Sequence, residues 1–338
     1  MSSTADVQMS DESQSLTLVE AIQDGLYTEM SQDDSVVVLG EDVGKNGGVF
    51  RATEQLYEEF GEDRVIDTPL AEAGIVGASI GLAQTGMKPI PEMQFMGFMY
   101  PAFDQIVSHA ARLRSRSHGQ YSVPMVVRAP YGGGIRAPEH HSESKEAFFV
   151  HEPGLKVVSP STPYDAKGLL AASIHDPDPV IFLEPKLIYR AFREEVPTES
   201  YEVSLGDAAI RREGSDISVY TWGAMTRPTL IAAENVEQEH GIDVEVVDLR
   251  TLSPLDIDTI TESFKKTGRA AIVHEAPKTG GLGAEIATTI QEEALIHQKA
   301  PIKRIAGFDA PMPLHSLEDY YLPQAVRIQD GILETVEF

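Results

Sequence analysis

The chain has 338 residues, enough to bury a sizeable core, and that length predicts two domains. Its 42% apolar content fits a globular α/β protein, and the absence of cysteine excludes a disulfide framework, a thiolate nucleophile and a Cys-based metal site. Fifty-three acids against 27 bases leave a net charge of −26, which argues against nucleic acid or an anionic membrane as partner. Because salt screens such self-repulsion over about 3 Å at 1 M, the charge predicts a halophilic protein, adapted to a salty interior.

Met1 to Ser15 is polar and acidic, and is expected to be a disordered tail. It has neither the apolar segment of a signal peptide nor the arginines of a transit peptide. No apolar run approaches the roughly 20 residues that cross a bilayer, so a cytoplasmic location away from membranes is expected. Thr17 and Glu20 have capping-box spacing, and Leu18, Ile22, Leu26 and Met30 recur every fourth residue as on one helix face. Val36–Leu39, Met125–Val127, Lys156–Val158 and Val180–Leu183 are short continuous apolar runs, as in strands buried on both faces of a parallel sheet. Gly74, Gly77, Ala78 and Gly81 form a small-residue stripe over 72–85, which predicts a helix approaching a close neighbour.

A polar, aperiodic stretch at 193–206 divides a first unit, 16–195, from a second, 205–338. The second unit repeats the alternation, with strands near 217–221, 244–248, 270–274 and 302–306 and helices near 226–239, 256–266 and 282–297. Alternating strands and helices predict α/β units with largely parallel sheets.

Several motif-like stretches fail on detail. Gly40 to Asn46 is one residue short of a phosphate-binding P-loop and lacks its Ser/Thr, and Gly281-Leu-Gly283 lacks the third glycine of a dinucleotide fingerprint. His140 and His141 are adjacent, so they do not share a helix face as a zincin pair does. No Gly-x-Ser-x-Gly elbow occurs.

Other stretches agree with one another. Gly40-Glu-Asp-Val-Gly44, Arg64-Val-Ile-Asp-Thr-Pro-Leu-Ala-Glu72-Ala-Gly74, Lys88-Pro-Ile-Pro-Glu92, Asp104-Gln-Ile106, His140-His-Ser142 and His151-Glu-Pro-Gly-Leu-Lys-Val-Val158 stand in one order. Phe182-Leu-Glu-Pro-Lys-Leu-Ile-Tyr189, Val247-Asp-Leu-Arg-Thr251 and Lys266-Thr-Gly-Arg269 continue it. Together they resemble the beta subunit of the decarboxylating component of thiamin-diphosphate-dependent 2-oxo acid dehydrogenases, from about residue 16 to the end. The resemblance implies a transketolase-like pyrimidine-binding domain followed by a transketolase C-terminal-like domain. Such enzymes hold the diphosphate and its Mg²⁺ through a Gly-Asp-Gly motif, which this sequence lacks. The missing half of the site then lies on an alpha subunit, giving an α2β2 heterotetramer that serves a dihydrolipoamide acyltransferase through its lipoyl domain.

The resemblance also assigns roles. Glu72 matches the carboxylate that hydrogen-bonds the aminopyrimidine ring of thiamin diphosphate and so activates it; without the resemblance, Glu72 reads as an acid favoured at a helix N-terminus. Phe98 matches the aromatic that stacks on that ring, against plain core burial, and Gln94 lies near the same ring. Glu41 and Asp104 match acids of a buried proton network between the two active sites, against structural ion pairing. His141 matches the histidine that assists acyl transfer, with His140 standing where the family has Gln. Backbone carbonyls near Met125, Ser173, Asp176 and Asp178 match a structural K⁺ site.

Glu275-Ala-Pro-Lys-Thr-Gly-Gly inclines to the branched-chain members, and Tyr220-Thr-Trp-Gly-Ala-Met to pyruvate members. A split transketolase and a catalytically silent scaffold are the alternatives.

Overall fold

The computed structural model describes residues 12–338. The helix Leu18–Gln32 begins where the Thr17 N–H and hydroxyl both donate to the Glu20 carboxylate, each at 2.8 Å. Its stripe of Leu18, Ile22, Leu26 and Met30 is wholly buried, facing the helix Pro163–His175.

The apolar runs form the strands Val36–Gly40, Val126–Tyr131, Lys156–Val158 and Val180–Pro185 of a seven-stranded sheet. Within it Val36–Gly40 pairs in parallel with Val65–Asp67 and with Lys88–Glu92. Pro89 and Pro91 make Lys88–Glu92 an unlikely strand by sequence, since proline donates nothing to a ladder. The strand survives because it pairs along five residues with Val36–Gly40 but with Val126–Tyr131 only at Glu92 and Arg128. The second unit is a five-stranded sheet in which Lys303–Gly307, Ala270–Pro277, Ile217–Thr221 and Val244–Asp248 run parallel, with Ala209–Arg212 antiparallel at the edge.

Two expectations change. Ser13–Leu16, of which Ser13 to Ser15 fall within the expected disordered tail, is a strand, and Glu194–Pro197, inside the supposed linker, is its antiparallel partner. Neither segment has a run of apolar residues, so hydropathy hides a pairing held by backbone bonds; residues 1–11 of the expected tail lie outside the described residues. The glycine stripe meets its expected neighbour only in part: the helix Glu72–Gln84 packs on Met96–Ala102, with Gly77 facing the Gln105 side chain and Gly74 the Ala71 methyl, but among the described residues a methyl group added at Gly81 would touch nothing.

The units share their cores. Val38, Val126 and Phe182 lie in one apolar cluster with Val219, Val246 and Val273, while Leu39, Val127 and Ile181 lie in another with Tyr220, Val247 and Ile272. Alternate residues of each strand thus feed opposite faces, and each face runs continuously through both sheets. Thr251–Ser253, from the second unit, adds antiparallel to Lys156–Val158 at the edge of the first sheet. Beside it, buried Asp165 meets Arg211 and Arg250, and Arg211 also meets buried Asp248.

Candidate active site

Four segments meet the general rule that open α/β sheets present their sites at the carboxyl ends of the strands. Glu41 and Asp42 follow Val36–Gly40, Glu72 follows Val65–Asp67, Gln94 to Phe98 follow Lys88–Glu92, and the loop 132–145 follows Val126–Tyr131.

Glu72 opens the helix Glu72–Gln84, where the helix dipole favours a carboxylate, and its side chain remains partly open to solvent. Glu41 is buried, with Oε1 lacking a partner among the described residues. Burial pushes the Glu41 carboxyl above the usual range, and the nearby charges of Glu72 and Asp42 add to the shift. Asp42 adopts φ +60°, which turns its carboxylate to accept from the Gln94 amide at 3.3 Å and from Asn46 at 2.9 Å.

The turn Met96–Ala102 packs against the helix Glu72–Gln84 and presents Phe98. The Phe98 and His141 rings stand edge to face at 5.2 Å, and Phe95 lies 4.5 Å from His141 and 5.4 Å from Phe98. His141 sits in the short turn Glu139–His141, with its Nδ1 buried and without a partner among the described residues. Gly97 makes this approach possible: any side chain there would run into the His140 carbonyl.

The structure therefore gathers Glu41, Glu72, Gln94, Phe98 and His141 at one end of the first sheet. Asp104 is not joined to Glu41; its side chain is 70% exposed and only approaches His109, at 3.8 Å. The segment after it, Gln105–Ala110, is a π-helix, a form enriched at functional sites.

The residues named for K⁺ cluster at the other end of the sheet. The Met125 carbonyl accepts the Val180 N–H at 2.9 Å, and the Ser173 hydroxyl donates to the Leu169 carbonyl at 2.6 Å. Asp176 pairs with Lys156 and accepts the Asp178 N–H at 2.9 Å, while Asp178 pairs with Arg114 at 2.5 Å. Both carboxylates are already matched by side-chain cations. No group of three or more His, Asp or Glu suited to a metal occurs among the described residues.

Sequence reasoning missed Phe95, Asp42 and Gly97. A lone glycine inside the aromatic run Phe95–Phe98 was the available signal for a close backbone approach.

A carboxylate at a helix start, an aromatic–histidine wall and a second α/β unit sharing the core fit one class, that of transketolase-like proteins. The transketolase pyrimidine-binding domain family matches residues 14–191, and the transketolase C-terminal domain family matches residues 206–328. A solved split-gene transketolase, an inactive beta4 tetramer, superposes with a TM-score of 0.77 over 96% of this chain and 99% of that one, at 21% identity, which speaks for the fold alone.

Sequence relatives narrow the class. The pyruvate dehydrogenase E1 component subunit beta of Acholeplasma laidlawii is 53% identical over 93% of this chain and 95% of that one. Its counterpart in Bacillus subtilis is 50% identical over 96% and 99%, and that of Staphylococcus aureus 49% over the same shares. The chain belongs to the family of beta subunits of the decarboxylating component of thiamin-diphosphate-dependent 2-oxo acid dehydrogenases. No helix among the described residues is long and apolar enough to cross a membrane.

Proposed function

We propose that this chain joins an alpha subunit in an α2β2 heterotetramer, which oxidatively decarboxylates pyruvate and passes the acetyl group to the lipoyl domain of a dihydrolipoamide acyltransferase. The observation that carries the reading is that Glu72, Phe98 and His141 lie at one end of one sheet while the sequence has no Gly-Asp-Gly. That arrangement supports a reading in which this chain supplies one half of a shared site. The pyruvate dehydrogenase relatives near 50% identity favour pyruvate over branched-chain 2-oxo acids.

The residues fit the pyrimidine half of thiamin diphosphate. A partly open carboxylate at Glu72, the half-buried ring of Phe98, the Gln94 amide and the unpartnered Nδ1 of His141 suit the polar edge and flat face of an aminopyrimidine. When bound, the cofactor supplies the electron sink that makes loss of CO2 from a 2-oxo acid accessible. Glu72 would share a hydrogen bond with the ring, Phe98 would fix the ring plane and Gln94 its orientation. His141 would supply a group able to exchange a proton during acyl transfer. Mg²⁺ and the diphosphate belong to the alpha subunit, Glu41 and Asp104 to a proton network completed in the tetramer, and K⁺ to carbonyls near Met125, Ser173, Asp176 and Asp178. We place the assembly in the cytoplasm.

The test is CO2 release from pyruvate and from branched-chain 2-oxo acids with thiamin diphosphate, Mg²⁺ and an artificial electron acceptor. It is run on the chain alone and on the chain co-purified with its alpha subunit. Activity only in the complex, highest with pyruvate, is expected. Turnover by the isolated chain would defeat the split-site reading, and ketol transfer without CO2 release would favour a split transketolase.

A further inference from the structure

The loop that carries His141 is held from the second unit by a carboxylate, and that hold is absent from the roles assigned above. Glu318 is 2% exposed at the start of the short helix Glu318–Tyr321. Its Oε1 accepts the Gly134 N–H at 2.9 Å, and its Oε2 accepts the Arg136 N–H at 3.0 Å. One residue earlier, the Gly133 N–H donates to buried Glu275 at 3.3 Å, and the Gly132 carbonyl accepts from buried Lys186. Gly134 sits at φ +111°, open to glycine, and Arg136 at φ +52°, a left-handed conformation that a residue with a side chain does not favour without a partner to fix it. On the opposite side, the His140 carbonyl abuts Gly97. The loop is thus gripped between the turn that presents Phe98 and a carboxylate from the C-terminal unit.

We propose that Glu318 is a positioning residue for His141, its two oxygens fixing the loop from the second unit so that the imidazole meets Phe98 in one orientation. This rests on the reading that His141 works at the active site. A buried carboxylate is costly to desolvate, and here the cost is offset by two charge-assisted N–H bonds that hold Gly134 and Arg136 in one geometry. The neighbouring Arg136–Asp319 pair, at 2.7 Å, is exposed and supplies a control for charge without positioning.

The experiment uses the chain assembled with its alpha subunit, as wild type, Glu318→Ala, Glu318→Gln and Asp319→Asn. Amide hydrogen exchange is followed over residues 132–144. Acyl transfer to a lipoyl domain is compared with decarboxylation read by an artificial acceptor. Loss of two charge-assisted bonds in Glu318→Ala predicts exchange at Gly134 and Arg136 faster by about tenfold or more, with a fall of about tenfold or more in kcat for acyl transfer. KM for the 2-oxo acid should stay within about threefold, since ground-state binding is untouched. Glu318→Gln keeps one acceptor oxygen and should fall between, and Asp319→Asn should match wild type.

Wild-type exchange in Glu318→Ala would overturn the proposal, as would faster exchange with unchanged kcat. If the alanine variant does not fold, Glu318→Gln decides by the same two readouts. A fully active His141→Asn enzyme would instead defeat the assignment of His141, while the exchange data would still report whether Glu318 holds the loop.

Discussion

The Phe98 ring and the His141 imidazole stand edge to face at 78° with centroids 5.2 Å apart, although 43 positions of chain separate the two residues. Each ring limits the rotamers of the other, so the aromatic that would stack on the cofactor and the histidine that would handle the proton form one mechanical unit. Phe98→Ala should weaken thiamin diphosphate binding and lower turnover together. Because the ring is only half-buried, stability should fall by about 1 kcal/mol. Cofactor titration of the assembled enzyme beside a thermal melt checks both; intact cofactor affinity would show that Phe98 is merely packing.

Gly97→Ala is the sharper perturbation. The added methyl meets a backbone carbonyl, that of His140, and backbone cannot swing aside as a flexible side chain does. A displacement of about 1 Å in the histidine loop is expected to cost roughly a hundredfold in kcat. Circular dichroism should be unchanged. An active Gly97→Ala enzyme would mean that the loop tolerates another seat.

Glu72→Gln keeps shape and helix start while removing the charge, so the chain should fold and assemble as wild type but lose most turnover. Near-normal CO2 release would reject the role given to Glu72.

Stability should carry the mark of Glu146, which is buried and has its carboxyl pushed up to about 7 by burial, with the charge of Glu275 adding. The folded state then holds a proton that the unfolded chain gives up near 4.5, so stability drains as pH rises from about 4.5 to 7. His274 acts in the opposite sense: burial pulls its imidazole down to about 4, so stability is lost as pH falls from 6.5 toward 4. Comparing Glu146→Gln with wild type isolates the first effect. The difference in stability should be small near pH 4.5 and grow to the order of 3 kcal/mol above pH 7. A pH-independent difference in denaturant midpoints would contradict it.

Arg128 is wholly buried between Glu92, at 2.8 Å, and Glu184, at 2.7 Å. Arg128→Met leaves two carboxylates without their cation and should cost about 3–5 kcal/mol, whereas neutralising all three together should recover much of the loss. Thermal melts of the single and triple variants decide.

Much of the fold was legible because its strands are buried on both faces. Runs such as Val36–Leu39 and Val180–Leu183 have no polar side, so hydropathy alone exposes them, and the helices at 226–240 and 257–267 end at Gly241 and Gly268 in left-handed caps. The strand Lys88–Glu92 was hidden by its two prolines, and Ser13–Leu16 by its polarity. Glu72 and His141 could be named from family motifs. Phe95 and Glu318 could not, because what places them is a contact between distant segments: nothing local to Glu318 distinguishes it from an ordinary acid at a helix start.

The strand Thr251–Ser253 lends an edge of the second unit to the sheet of the first. A protein so laced does not come apart at its apparent seam. Cut at 193–206, the leading piece would expose the bare flank of Lys156–Val158, an open template for pairing with other chains, and both apolar layers would be torn across their middle. Insertions and tags therefore belong elsewhere, and the two halves, though they match separate families, have to be inherited, expressed and folded as one piece.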